Sequence, residues 1–415
     1  MPKRGRVRTG DQSLVREINL SVIMNQLRQH APISRAALAE MTGLNKTTVS
    51  SLVTELIEQD FVHEIGIDTS GVGRPSVLLE LAPTAGYIIA AEIGVDFISV
   101  NSTDFSGKAI WQCKQNTQPE QGQQAILDRL LALFDEAIMV SGSCCQDRLL
   151  GVALGVPGLV DQERGTLLFA PNLHWENVRL REMLAAKLDA LIVVDNEANL
   201  AAFAEYYLGA AQGHDEVLYI SAGVGLGGAI VKQGHLYRGI TGFAGEVGHM
   251  TMNPDGLVCN CGNRGCWETL VSQLALFRHI QTAAEAGATS PLLEQVRHGQ
   301  LPLSVPLIVE AAKAGDSVAR DALSRLGRDL GIGIALLVNV LNPDLVVFGG
   351  ILSLASDFLL PVVELELERR ALRWTKAATR VVRAYHGSDA CVIGGMAVVH
   401  QTLLNQPTQL LRQVA

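Results

Sequence analysis

The sequence predicts an α/β protein in which an N-terminal winged helix-turn-helix domain precedes two α/β lobes with a cleft between them. Three observations carry this prediction. A short helix, a Gly-containing turn and a longer helix are spaced over residues 34–57, and two strand-like runs follow at once. From Gly86 the texture changes to strand, strand, strand, helix, and that order returns at EVLYISAGVGLGGAIV. A chain of 415 residues, 48% hydrophobic and 18% charged, holds more apolar material than one ordinary domain needs.

Taken in order, LSVIMNQLRQ sets Leu20, Ile23, Met24 and Leu27 on one helical face, and Ala31-Pro32 breaks it. Ser34 caps a short helix ending near Met41, and Thr42-Gly43-Leu44 makes a tight turn. Asn45 caps a second helix with an apolar face of Val49, Leu52, Val53, Leu56 and Ile57. Its outward face opens with Lys46, Thr47, Thr48, Ser50 and Ser51, short donors and one cation suited to phosphate oxygens and base edges. On an isolated helix the same face reads equally well as a solvated surface. The strands Phe61–Ile67 and Ser76–Leu81, joined by DTSGVGRP, supply the wing, with Arg74 at a tip narrow enough for a minor groove.

Charge agrees. The net −9 falls entirely after residue 80, since residues 1–80 hold nine Lys/Arg against nine Asp/Glu. Lys3, Arg4, Arg6 and Arg8 form a basic arm without an acidic neighbour, a local means of touching phosphates on an acidic protein. DNA is therefore the expected partner of residues 1–82, and Pro83 marks the boundary.

The remainder divides into a first lobe, 83–195, completed by a C-terminal helix at 388–415, and a second lobe, 196–387. YIIAAEIGV, FISVNST and KAIWQCKQ read as consecutive strands, with a turn at Asp104–Gly107. A helix over 124–140, the strand LLGVALGVP, a loop GLVDQERG and a helix reaching Leu188 follow, then the strand LIVVDNEAN and the helix LAAFAEYYLG. No run of about 18 uncharged apolar residues is present, so a cytoplasmic protein with no membrane partner is expected. Seven unevenly spread cysteines argue against a disulfide framework.

Three segments carry chemistry. CNCGNRGCWE, residues 259–268, sets Cys259, Cys261 and Cys266 on a compact loop turned by Gly262 and Gly265. His249 completes a closed Cys3His set suited to structural zinc, with no vacancy for a catalytic water. A redox pair with a spare thiol is the alternative, but one intervening residue strains a Cys259–Cys261 disulfide. VDNEAN contributes Asp195, Asn196 and Glu197 where a strand ends and a helix begins, GEVGHM contributes Glu246 and His249, and Glu268 ends the cysteine loop. Carboxylates, an amide and an imidazole converging at strand ends suit a polyhydroxyl ligand.

With these motifs in order, together with GVPGLVD (155–161) and APNLHW (170–175), nearly the whole chain resembles the ROK family of repressors, open reading frames and sugar kinases. The resemblance implies an actin-like, ribonuclease-H-like two-lobed fold with zinc on His249, Cys259, Cys261 and Cys266. It implies sugar hydroxyls at Asn172, Asn196, Glu246, His249 and Glu268, with Glu197 close by, so that His249 serves sugar and metal at once.

The family's kinases carry Asp-x-Gly-x-Thr for the nucleotide phosphates and an Asn-Asp pair whose aspartate is the general base. Here the matching residues are Glu92-Ile93-Gly94-Val95-Asp96 and Glu197. Asp96 opposes phosphate by like charge, and the extra methylene of Glu197 displaces the base, so no enzyme activity is expected. The glycines of SAGVGLGG (221–228) persist but also serve strand turns. Glu197 and the Cys-Trp-Glu ending resemble those of the family's xylose-operon repressors. The expectation is a sugar-responsive repressor binding operator DNA as a homodimer or dimer of dimers, with a pentose first and glucose second as effector. An active ATP-dependent sugar kinase with a fused DNA-binding domain is the alternative, and a constitutive architectural DNA binder the third reading.

Overall fold

The protein is described from a computed structural model covering residues 12–68, 76–297, 302–407 and 410. Lys3, Arg4, Arg6 and the wing-tip Arg74 lie outside the described residues.

Helix α1 (Gln12–His30) buries Leu20, Ile23, Met24 and Leu27. After β1 (Ile33–Ser34), the Ser34 hydroxyl accepts from the Ala37 N–H and starts α2 (Arg35–Thr42), which stops at Gly43 with φ 69°, the left-handed turn glycine makes without strain. The Asn45 side chain accepts from the Thr48 N–H at 2.8 Å and opens α3 (Lys46–Glu58), whose buried face is Val49, Leu52, Val53 and Leu56. Strands β2 (Val62–Asp68) and β3 (Ser76–Leu81) pair antiparallel, and β1 joins the free edge of β3 to complete the wing sheet.

Two five-stranded sheets follow, built to one plan. In the first, β4 (Tyr87–Ile93), β5 (Phe97–Asp104) and β6 (Ala109–Asn116) form an antiparallel meander. Helix α4 (Gln123–Gly142) leads to β7 (Leu149–Val156), parallel to β4.

The stretch 157–188 departs from expectation. The predicted loop and long helix are instead a small antiparallel sheet of β8 (Leu159–Asp161), β9 (Thr166–Ala170) and β10 (Trp175–Val178), and the helix is only α5 (Leu180–Ala185). Three- to five-residue strands alternate too briefly to show a period of two. Gly158, at φ +106°, lies so close to β9 that a Cβ would sit 2.2 Å from the Phe169 carbonyl. Strand β11 (Leu191–Asn196) closes the first sheet in the order β11-β7-β4-β5-β6.

Helix α6 (Glu197–Leu208) crosses to the second sheet, where β12 (Glu216–Ala222), β13 (Leu226–Lys232) and β14 (His235–Leu236) repeat the antiparallel meander. After α7 (Gln273–Glu285), α8 (Pro291–Arg297), α9 (Val305–Lys313) and α10 (Ser317–Leu341), β15 (Leu345–Gly349) runs parallel to β12. Helices α11 (Ser356–Arg370) and α12 (Arg373–Ala378) precede β16 (Arg380–Arg383), which gives the order β14-β13-β12-β15-β16. Helix α13 (Ala390–Asn405) then returns to lie on β4 and β7 beside α6.

One apolar core joins the winged helix-turn-helix domain to the first lobe. It runs from Leu20, Leu52 and Phe61 through Phe105 and Leu150 to Val399 and Leu403 of α13. Phe105 bridges it, packing edge-on against Phe61 at 5.6 Å and His400 at 5.1 Å. The Asn25 and Gln401 side chains hydrogen-bond at 3.0 Å across the α1–α13 contact. The winged helix-turn-helix domain is thus packed onto the lobe rather than tethered to it.

Candidate functional site

The cysteine loop is folded by its glycines. Gly262 and Gly265 have φ of 90° and 70°, and a Cβ on Gly265 would fall 1.5 Å from the Asn253 carbonyl, so the chain can double back only there. The bridge between Thr251 and Cys266 brings the loop against the turn that ends in His249. As a result the ligand atoms of His249, Cys259, Cys261 and Cys266 all lie within 4.8 Å of one another. His249 Nδ1 is 3.8 Å from Cys259 Sγ, and Cys261 Sγ is 3.7 Å from Cys266 Sγ. A tetrahedron with metal–sulfur bonds of about 2.3 Å has edges of about 3.8 Å, so the four residues fit a closed four-coordinate ion as they stand. Trp267 fastens this loop to the lobe: its ring is fully buried, and its Nε1–H donates to the Asp329 carbonyl at 3.0 Å.

The cleft residues converge on the same place. Glu268 accepts the Leu226 N–H at 2.9 Å. Beside it Gly225 has no room for a side chain, since a Cβ would lie 2.5 Å from Glu268 Oε2 and 3.0 Å from Asn172 Nδ2. Asn172 accepts from the Asn260 side chain at 2.7 Å. His249 turns Nδ1 to the cysteines and Nε2 toward Glu246, 3.8 Å from its Oε2. One imidazole therefore links the Cys3His cluster to the cleft.

Asn196 is partly committed to structure. Its Oδ1 caps α6 through the Ala198 N–H, and its Nδ2–H donates to the Gly158 carbonyl. Glu197, half-buried, gathers repulsion from the others: burial first, then Asp96, Glu246 and Glu268, push its carboxyl up to about 7. Asn172, Glu246, His249 and Glu268 are thus brought together, with Glu197 within their field and Asn196 on the adjoining strand end. A small hollow between Gly158, Asn196, Phe243 and Glu246 adjoins them. A larger cavity of about 350 Å³ lies on the other side of Glu197 and is walled by Glu92, Asp96 and Lys114.

Three neighbours escaped the sequence reading. Arg238 pairs with buried Asp195, Asn260 holds Asn172, and Gly225 leaves space for both Asn172 and Glu268. Of these Asn260, inside the cysteine motif, and Gly225, inside SAGVGLGG, had a local signal, whereas Arg238 had none.

On α3, Lys46, Thr47, Ser50 and Ser51 are exposed as required of a DNA-contacting face, and Thr54 extends that face by one turn. Thr48 is half-buried, and its N–H is taken by the Asn45 cap. Among the described residues no helix is long and apolar enough to cross a membrane.

Comparison with known proteins matches this architecture segment by segment. The ROK family pattern covers residues 88–402, and a winged helix-turn-helix DNA-binding pattern covers 17–63. The chain is 33% identical to a xylose repressor of Caldicellulosiruptor bescii over 96% of its own length and 99% of that protein's. It also resembles the crystal structure of a ROK family transcriptional regulator, a homologue of the Escherichia coli MLC protein, with a TM-score of 0.80, 28% identity and coverage of 96% and 99%. A ROK family glucokinase from Streptomyces griseus, solved with glucose and AMPPNP, matches 75% of this chain and 99% of its own at a TM-score of 0.65 and 34% identity. Winged helix-turn-helix and duplicated lobes together place the chain in the ROK family, on the side of its transcriptional regulators.

Proposed function

We propose that this protein is a sugar-responsive transcriptional repressor whose winged domains bind operator half-sites as a dimer and whose cleft takes a monosaccharide of xylose or glucose type. The observation that carries the reading is the union of a polar, carboxylate-rich cleft with a DNA-binding domain sharing the first lobe's core. Asn172, Asn196, Glu246, His249 and Glu268 are assigned to sugar hydroxyls, with Glu197 bordering them. A buried site of such groups rejects ligands that lack the matching hydroxyls.

His249, Cys259, Cys261 and Cys266 are assigned to one structural zinc. Bound there, the ion supplies a cross-link and no catalytic position. The four residues then hold His249 and Glu268 in register for the sugar.

Lys46, Thr47, Thr48, Ser50 and Ser51 are assigned to the operator, together with Arg74 and the arm Lys3, Arg4 and Arg6. An even number of chains follows from paired half-sites. Sugar closes the lobes, and α6 and α13 carry the change to α1, altering half-site spacing by as much as sugar affinity differs between the two states.

The kinase reading is disfavoured on chemical grounds. Asp96 sets negative charge where a nucleotide's phosphates need a neutral donor, and Glu197 replaces the shorter aspartate base. The deciding experiment titrates full-length protein onto labelled operator DNA with xylose, glucose and N-acetylhexosamines, alongside sugar-dependent ATP turnover. Expected is a change in operator affinity with one sugar class and no turnover. Operator binding indifferent to every sugar overturns the sensor, and turnover restores the kinase.

A further inference from the structure

The Arg238–Asp195 pair has no part in the sugar assignment, yet it ties together the two walls of the hollow beside Asn196 and Glu246. We propose that Arg238 is a positioning residue of the sugar site, a role that rests on the sugar reading of that site. Paired with Asp195 across the cleft, it holds the lobes at the separation at which the hollow takes a monosaccharide.

The backbone aims the guanidinium. Strand β14 ends at Leu236, and the Tyr237 N–H donates to the Ile230 carbonyl of β13 at 2.8 Å, so Arg238 leaves the second sheet from a pinned residue. Its carbonyl accepts the Ala244 N–H at 3.1 Å, closing a loop that turns at Gly239 and Gly242, with φ of 67° and 93°. Opposite, Asp195 stands near the end of β11 and is only 2% exposed. Arg238 Nη1 lies 3.2 Å from Asp195 Oδ1 while Nη2 bonds Oδ2, the two-pronged contact a planar guanidinium makes with a carboxylate. Asp195 Oδ1 also accepts the Asn196 N–H at 2.8 Å and the Asn199 side chain at 3.0 Å. Fixing this carboxylate therefore fixes the start of α6.

Place in the fold gives the pair its role. One wall of the hollow is Gly158, Asp195 and Asn196, and the other is Phe243, Ala244 and Glu246, on or just past the loop that Arg238 opens. Among the described residues this is the one ion pair that joins the first lobe to the second. Drawing the lobes apart would strand a buried carboxylate without its counter-ion, a larger cost than the net gain from an intact pair. The pair thus adds little to overall stability and favours one separation of the walls. With the walls held near that separation, less of the sugar's binding free energy goes into closing them.

Full-length protein, Arg238→Met and Asp195→Asn are each titrated calorimetrically with D-xylose and D-glucose, and their radii of gyration are measured by X-ray scattering without and with saturating sugar. Expected in both variants is sugar affinity roughly tenfold or more weaker, the effect of a closed fraction falling to about one-tenth. Their sugar-free radius should exceed that of the unaltered protein and return toward it with sugar. Arg238→Met leaves a buried charge unpaired. Should it misfold, Asp195→Asn keeps the test valid, because it buries no charge and Arg238, already a quarter exposed, turns to solvent. A merely structural pair would lower Tm and leave the radius and sugar affinity of a folded variant unchanged. Affinity within about threefold of the unaltered protein, or weaker affinity without expansion, would overturn the proposal and leave the sugar reading standing. An unaltered protein that binds neither sugar would instead sink the sugar reading, and the positioning role with it.

Discussion

Glu197 sits in the first turn of α6, where the helix dipole favours a carboxylate, yet its carboxyl is pushed up to about 7. Burial and three neighbouring carboxylates, Asp96, Glu246 and Glu268, outweigh the dipole, and Glu92 titrates against it from the cavity side. The sign follows from linkage. An acid whose folded pKa lies above its unfolded value, about 4.3, disfavours ionisation in the fold. Its contribution is neutral below the unfolded value and becomes destabilising as pH rises toward 7. Glu197→Gln is accordingly expected to leave Tm nearly unchanged at pH 4 and to raise it by about 1–3 °C at pH 8, measured by calorimetry at both pH values. A gain that does not vary with pH would show that Glu197 ionises freely. Because the cleft crowds like charges, a ligand that donates hydrogen bonds to these carboxylates relieves the same repulsion.

Among the elements, the cysteine loop and α10 act as one piece. Trp267 packs on Gly333, where a Cβ would fall 2.1 Å from the indole ring. Gly333→Ala is expected to displace the ring, cost about 1–3 kcal/mol, and loosen the loop, seen as faster metal loss to a chelator. Metal analysis should find one zinc per chain, and its removal should lower Tm and weaken sugar binding together, because Glu268 follows Cys266 by two residues. Loss of zinc with unchanged sugar affinity would uncouple the two. This loop was legible in the sequence because its ligands fall within eighteen residues and its turns carry glycine. The DNA-binding domain was legible for a similar reason, its caps and apolar faces being local. Helix α5 and the small sheet before it were not, since short strands leave little periodicity. The Arg238–Asp195 pair joins residues 43 apart and had no local signal at all. On α3, exposed Lys46 stands at the N-terminus of a helix whose next exposed residues, Thr47, Ser50, Ser51 and Thr54, are neutral. Lys46→Ala should weaken operator binding whatever the sequence and lower the slope of log affinity against log salt by about 1 per chain. An unchanged slope would remove Lys46 from the phosphate contacts.

At the scale of the whole molecule, the question is how a cleft in the lobes can reach a helix in the winged domain. Helices α6 and α13 lie so close that a Cβ on Gly394 would sit 1.7 Å from the Leu200 carbonyl, so neither can move without the other. Glu197 begins α6 at the cleft, and the opposite end of α13 packs against α1. Between them Phe105, fully buried, touches both Phe61 of the winged domain and His400 of α13. Motion of α13 thus meets the DNA-binding domain through a packed core, which transmits displacement instead of absorbing it. Phe105→Leu keeps the core apolar but removes the edge-to-face contacts, each worth about 0.5–1.5 kcal/mol. The variant should remain folded, lose about 1–3 kcal/mol of stability, and retain sugar affinity and sugar-free operator affinity within about threefold. What should fall is the ratio of operator affinities without and with sugar, since that ratio measures coupling between the sites. Fluorescence anisotropy on labelled operator, with and without saturating sugar, reads it directly. A ratio unchanged in a demonstrably destabilised Phe105→Leu protein would mean that the signal travels by a route other than the core that joins lobe to wing.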